Sequence, residues 1–273
     1  MNSQKNTAVP RVEEAHASSH AVSLKNAAVE FGKLRVLDNI DLTIENGAFI
    51  SILGPSGCGK STLLRLVSDL VPAAEGEVSI FGSSTESARL AREFSFVFQD
   101  ATLLPWRSAI DNVRLPLEIG AKHAHKRPLA ISDKTPEQLL ELVGLKGRES
   151  AMPHELSGGM RQRVAIARAL VCKPRLLLMD EPFGALDEIT RDHLNEQILK
   201  IWQETGTTIL FVTHSIPEAI FLGQKILMLA AHPGRVREMV EVDLPYPRHL
   251  SMRDTHEFTD IAAKVRNLLE SCS

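Results

Sequence analysis

Eight residues, GPSGCGKS from Gly54 to Ser61, constrain this chain of 273 residues more than any other feature. They follow AFISILG, a nearly continuous apolar run of strand length. They precede STLLRLVSDL, in which Leu63, Leu66, Val67 and Leu70 recur at helical spacing. Strand, glycine-rich turn and helix in that order give the pattern G-x-x-x-x-G-K-S/T the context that makes it informative. Glycines let the backbone wrap tightly, so that successive amides face phosphate oxygens. The following helix adds the positive end of its dipole. Gly54, Pro55, Ser56, Gly57, Cys58 and Gly59 are therefore the predicted phosphate cradle. Lys60 is placed to reach β- and γ-phosphates, Ser61 to ligate Mg²⁺, and the Thr62 hydroxyl to serve another phosphate.

A second stretch supplies what such a cradle needs for hydrolysis. RLLLMDEP is a buried strand ending in Asp180, which puts a carboxylate at the sheet edge where ligands bind in α/β folds. Asp180 is the expected Mg²⁺ holder, through water. Glu181 projects differently and is free to polarise an attacking water as a general base. Around these motifs, AVSLKNAAVEFG and RVLDNIDLTIENG alternate apolar and polar residues, as half-exposed antiparallel strands do. GEVSIFG, FSFVFQ and TTILFVTH read as further strands, the last two ending at Gln99 and His214. RQRVAIARALV and RDHLNEQILKIWQETG read as helices. Strands alternating with helices imply a parallel α/β sheet. HSIPE opens another helix, with Ser215 as cap, Pro217 in the first turn and Glu218 closing a capping box. A last short helix is expected near Asp260 to Leu269.

Composition narrows the class. The apolar fraction of 44% is enough for a real core, and the net charge of −3 gives no basic field for nucleic acid. Cys58, Cys172 and Cys272 lie far apart and form neither a metal site nor a disulfide framework. His123 and His125, beside Lys122 and Lys126, read as a solvated loop. No apolar run approaches the roughly 20 residues of a membrane-spanning helix. The first 20 residues carry acids and lack a continuous apolar core, so they read as a disordered leader rather than a secretory signal.

Between the two phosphate motifs stands LSGGM: Leu156, Ser157, Gly158, Gly159 and Met160. Two glycines at a helix start make sense where something approaches the backbone closely. With this segment in place the chain resembles the ATP-binding-cassette ATPases over roughly residues 21–245. The resemblance implies a P-loop core with a parallel sheet, an N-terminal antiparallel β subdomain and an inserted α-helical subdomain at about 100–165. Residues 246–273 are then a C-terminal helical tail. It implies that Gln99 senses the γ-phosphate and Mg²⁺, that His214 is a switch histidine and that Phe31 stacks on adenine. It further implies that Ser157, Gly158 and Gly159 contact an ATP held by another subunit, with Asp187 of the ALD stretch bridging the two chains. The physics agrees: Ser157 can cap, the glycines admit close approach, and the helix dipole favours an anion.

On this resemblance the partners are a second copy or a homologous ATPase subunit, integral-membrane permease subunits and, indirectly, a solute-binding protein. The place is the cytoplasmic face of the inner membrane. LLPWRSAIDNV, DEPFGALDEITR and HPGRV with LPYPR resemble the importer branch for nitrate, sulfonate, taurine and related solutes, which also includes importers of thiamine pyrimidine precursors. Leu103, Leu104, Pro105 and Trp106 form an apolar patch suited to a permease's short cytoplasmic helix; a buried turn is the alternative, since Trp is usually well covered. Ser215 stands where an aspartate commonly follows the switch histidine, and LGQK and AAHPGR also depart from the branch pattern. The rival class is a soluble cassette ATPase acting on DNA or ribosomes. The span from Thr62 to Leu156 holds no sustained heptads, and the chain carries one cassette rather than two.

Overall fold

The computed structural model describes residues 20–123, 130–184 and 186–272. The predicted leader up to Ser19, His125 and Ala185 lie outside the described residues. β1 (His20–Phe31) and β2 (Leu34–Glu45) pair antiparallel. In β2, Ile40, Leu42 and Ile44 are buried while Asp41, Thr43 and Glu45 are exposed, the two-residue period of a half-covered strand. β3 (Phe49–Leu53) is buried at every residue and runs through the phosphate loop into α1 (Lys60–Val67). β4 (Glu75–Ile80) and β5 (Ser83–Ser84) complete a four-stranded antiparallel sheet of order β2-β1-β4-β5. α2 (Thr85–Ala91), capped by Ser84, follows. The sequence shows no helical period there because seven residues span only about two turns.

The remaining elements alternate as the pattern implies. They are β6 (Phe94–Val97), α3 (Ala109–His123), α4 (Pro136–Leu142), α5 (Gly158–Leu170), β7 (Leu176–Asp180) and α6 (Glu188–Thr205). After them come β8 (Thr208–Val212), α7 (Ile216–Leu222), β9 (Lys225–Ala230), β10 (Arg235–Glu241) and α8 (His256–Glu270). The second sheet has the order β10-β9-β3-β8-β7-β6. It is parallel from β9 to β6, with β10 antiparallel at one edge. Alternate residues of its strands feed different cores. Phe49, Leu177, Met179, Ile209 and Phe211 pack with α5, α6 and α7. Ile50, Ile52, Leu178, Leu210 and Val212 pack with α1 and the first sheet.

Four local expectations need correction. β6 stops at Val97, so Gln99 lies two residues beyond the strand. β8 stops at Val212, two residues before His214. Ser215 does cap α7, accepting from Glu218 N, but the Glu218 side chain does not close a capping box, because it takes a hydrogen bond from Thr213 instead. The last helix also begins earlier than expected, at His256, where Thr255 caps it.

The segment after β10 is fastened by Arg248, which is 4% exposed. Its guanidinium donates to Ile220 O, Phe221 O and Gly223 O at the end of α7, and to Val242 O and Leu244 O. The first three are orphan carbonyls of a helix C-terminus, where a cation is also favoured by the dipole. Arg248→Met is expected to destabilise the fold by about 3 kcal/mol, since Ile220 O, Phe221 O, Gly223 O and Leu244 O lose their donor, while Val242 O keeps Leu244 N. Urea unfolding checks this, and a loss under about 1 kcal/mol would show that water replaces the guanidinium.

Candidate active site

Strand order and register bring the predicted residues to one end of the sheet. β3 and β7 flank β8, and Val212 is level with both Ile52 and Asp180. The residues just past these strand ends therefore meet: the phosphate loop after β3, Asp180 and Glu181 at β7, and Thr213 and His214 after β8. This is the carboxyl edge of a parallel sheet, where open α/β folds bind ligands.

A cavity of 370 Å³ opens there. Gly54, Ser56, Gly57 and the Gly59–Thr62 stretch line it, together with Glu181, His214 and Val36 from β2. Val36 has no sequence signal of its own, because an apolar residue in an alternating strand reads as core. Gly59 sits at φ +96, and a Cβ there would come within 2.6 Å of Leu37 Cδ2, so both backbone and packing demand glycine. Lys60 is nearly buried and donates to Gly54 O at 2.9 Å and Pro55 O at 3.0 Å. Cys58 is buried beneath the loop, and burial pushes its thiol up, so it packs there as a small apolar side chain.

Ser61 Oγ donates to Asp180 Oδ1 at 2.8 Å. Burial pushes the Asp180 carboxyl up, opposed by the hydrogen bond from Ser61 and reinforced by neighbouring Glu181. A hydroxyl beside a partly desolvated carboxylate is a hard-oxygen pair that an incoming Mg²⁺ would suit and relieve. Glu181 has a left-handed backbone, φ 45, with its N–H on Val212 O at 3.0 Å. That turns its side chain away from the Asp180 direction and beside His214, whose Nδ1 lies 3.3 Å from Glu181 Oε2.

Other predicted residues are placed elsewhere. Phe31, half exposed at the end of β1, does not line this cavity. Gln99 lines a separate space of 360 Å³ with Gly158, Arg161 and Gln162. Ser157 caps α5, accepting from Met160 N at 3.2 Å. The two glycines of the signature differ. A Cβ on Gly159 would meet Leu186 Cδ2 at 2.5 Å, so packing within the chain already requires it. A Cβ on Gly158 would meet only Arg161 Nη2, at 3.8 Å. Leu156 is buried and Met160 half-buried against the core. Asp187 caps α6, accepting from Thr190 N at 2.9 Å, and that backbone hydrogen bond holds its carboxyl below the usual range.

Two residues outside the motifs hold the Gln99 segment. Gln162 Nε2 donates to Phe98 O at 2.8 Å, and Arg168 donates to Ala101 O and Thr102 O, both at 2.9 Å. Both sit on α5. The family profile described as "ABC transporter" matches residues 37–184, more than half of the chain.

The chain belongs to the ABC transporter family.

Similar proteins agree over most of its length. The aliphatic sulfonates import ATP-binding protein of a Bacillus cereus strain is 43% identical over 239 residues, covering 88% of this chain and 90% of the relative. Its counterpart in Bacillus subtilis is 43% identical over 251 residues, covering 91% and 93%. An uncharacterised ABC transporter ATP-binding protein of Methanocaldococcus jannaschii is 43% identical over 238 residues, covering 87% and 85%. Among solved structures, a dimeric ATP-binding cassette in a post-hydrolysis state with ADP and Pi superposes with a TM-score of 0.70 at 34% identity. It covers 82% of this chain and all of that one. This ABC protein is an ATPase of the cassette fold that binds ATP. Among the described residues no helix is long and apolar enough to cross a membrane.

Proposed function

We propose that this ABC ATPase drives an importer of a small anion of the sulfonate class by closing and opening a pair of cassettes on ATP. The importer reading rests on one observation: its relatives named for aliphatic sulfonate import match this chain at 43% identity over nearly their whole length. The partner cassette is a second copy or a homologue. In each of the two sites Lys60, Ser61, Gln99, Asp180, Glu181 and His214 come from one chain. Ser157, Gly158 and Gly159 come from the other, with Asp187 bridging. The dimeric state of the similar solved cassette supports this arrangement. So do the exposure of Ser157 and the open space in front of Gly158.

ATP would lie with its phosphates along the loop and its adenine toward the exposed ring of Phe31. Ser61 and Asp180 would hold Mg²⁺, which neutralises charge on the phosphates. Loop amides and Lys60 orient the γ-phosphate, Glu181 takes a proton from the attacking water, and His214 steadies the same face. Catalysis is positioning and charge stabilisation. Closure excludes water, and hydrolysis with loss of phosphate releases the partner.

The protein docks on permease subunits at the cytoplasmic face of the inner membrane. Trp106 supports this: its side chain is 70% exposed rather than in a core turn. The turn carrying it is held by fully buried Asn112, which accepts from Leu104 N and donates to Leu104 O, Arg107 O and Ser108 O. A large apolar ring on a rigid turn is the anchor a partner helix needs. In vesicles reconstituted with its co-purifying membrane subunits and solute-binding protein, ATP should drive uptake of labelled taurine or an alkanesulfonate. Trp106→Ala is expected to lower that uptake by about tenfold or more, leaving the ATPase of the isolated subunit within about twofold. Recovery with ribosomes or nucleic acid instead of membrane subunits would overturn the reading.

A further inference from the structure

Beneath the loop that carries His214 lies a buried polar cluster not used in the site described above. Glu218, in the first turn of α7, is 5% exposed. Thr213 donates its hydroxyl to Glu218 Oε2. The same Thr213 Oγ1 accepts from Ser215 N at 3.0 Å, and Ser215 Oγ accepts from Glu218 N at 3.4 Å. The two residues that flank His214 are thus tied to each other and to one carboxyl group.

From the opposite side α6 presents Asn195, which is fully buried, and Arg191. Both lie close to the Glu218 carboxyl, as does His214. Arg191 also donates to Leu186 O at 2.9 Å, one residue before Asp187. Glu218 Oε1 and both amide atoms of Asn195 are buried without a hydrogen-bond partner. Burial pushes the Glu218 carboxyl up, against the hydrogen bond from Thr213. Packing alone does not ask for such groups, since apolar residues of the same shape would fill the space without unmet hydrogen bonds.

We infer that Glu218 is a positioning residue: with Thr213 it sets the turn that holds His214 beside Glu181. The inference rests on the reading of His214 as a residue of the hydrolytic site.

A double-mutant cycle on ATP turnover by the full chain tests it. Glu218→Ala is expected to lower kcat by about tenfold, with the KM for ATP within about twofold. Glu218→Gln still accepts from Thr213 and offers Asn195 an amide, so it should keep at least about half the rate. In a His214→Ala background, Glu218→Ala should lower the residual turnover by less than about twofold, because the residue it positions is already gone. An equal tenfold loss in both backgrounds would overturn the inference, and so would an unchanged kcat in the single variant. His214→Ala with full turnover would instead remove the reading of His214, and this inference with it. Should Glu218→Ala fail to fold, Thr213→Val, which deletes only the hydroxyl, goes through the same cycle.

Discussion

Glu181→Gln is expected to bind ATP about as tightly as the parent protein and to hydrolyse it about 10²- to 10³-fold more slowly. Affinity should survive because the phosphates are held by loop amides, the dipole of α1 and Lys60, none of which the substitution touches. The backbone should survive too. The left-handed turn at position 181 is held by its N–H on Val212 O and its carbonyl on Gly184 N at 3.2 Å. Glutamine keeps the volume and an oxygen beside His214 but cannot take a proton from water. With hydrolysis stalled, ATP should keep two cassettes together, so the variant should elute as a dimer in ATP where the parent is a monomer after turnover. Single-turnover hydrolysis and size-exclusion chromatography check both halves. Turnover within about threefold of the parent would remove Glu181 as the base.

The residues of this site were legible where local chemistry alone decides the structure. An apolar run of strand length, a glycine turn and a helical period can hardly pack otherwise, and β3, the loop and α1 stand where that order requires. Asp180 was legible for the same reason, at the end of a fully buried strand. Gln99 and His214 were placed one step less well. Strands look longer in sequence than they are, because Phe98 and Thr213 continue the apolar or β-branched character past the last strand residues, Val97 and Val212.

What stayed hidden depends on contacts distant in sequence. Glu218 three residues after Ser215 reads as a capping box, yet tertiary burial gives its carboxyl to Thr213. Nothing in the sequence pattern names a partner for Gln162 and Arg168; the Gln99 segment laid across α5 supplies it. Gly159 reads as a ligand-facing glycine in sequence, and the structure adds a second reason for it, since Leu186 occupies the space a Cβ would fill. In each case the pattern gave the residue's element correctly, and the element that packs against it came from elsewhere in the chain.

Lys60→Ala is expected to lower ATP affinity at least about 100-fold, equivalent to about 2.7 kcal/mol, and to abolish measurable turnover. The ammonium is already desolvated, with two of its protons on Gly54 O and Pro55 O. An ammonium has three donors, so one remains for a phosphate oxygen entering the cavity, at little further loss of hydration. Two roles are therefore combined in one side chain: a strut that closes the loop and a ligand to the phosphates. They separate by experiment. Alanine is the best helix former, so α1 keeps its first turn. Gly54 lines the cavity, so water entering the space left by the ammonium can reach its carbonyl. Stability should thus change by less than about 1 kcal/mol in urea, while calorimetric titration with ATP shows the large loss. A collapse of stability would make Lys60 chiefly a strut. An ATP affinity reduced less than about threefold would assign phosphate binding to the amides and the helix dipole alone. Lys60→Arg should not restore the function, because a planar guanidinium cannot occupy the space of a compact ammonium between Gly54 and Pro55.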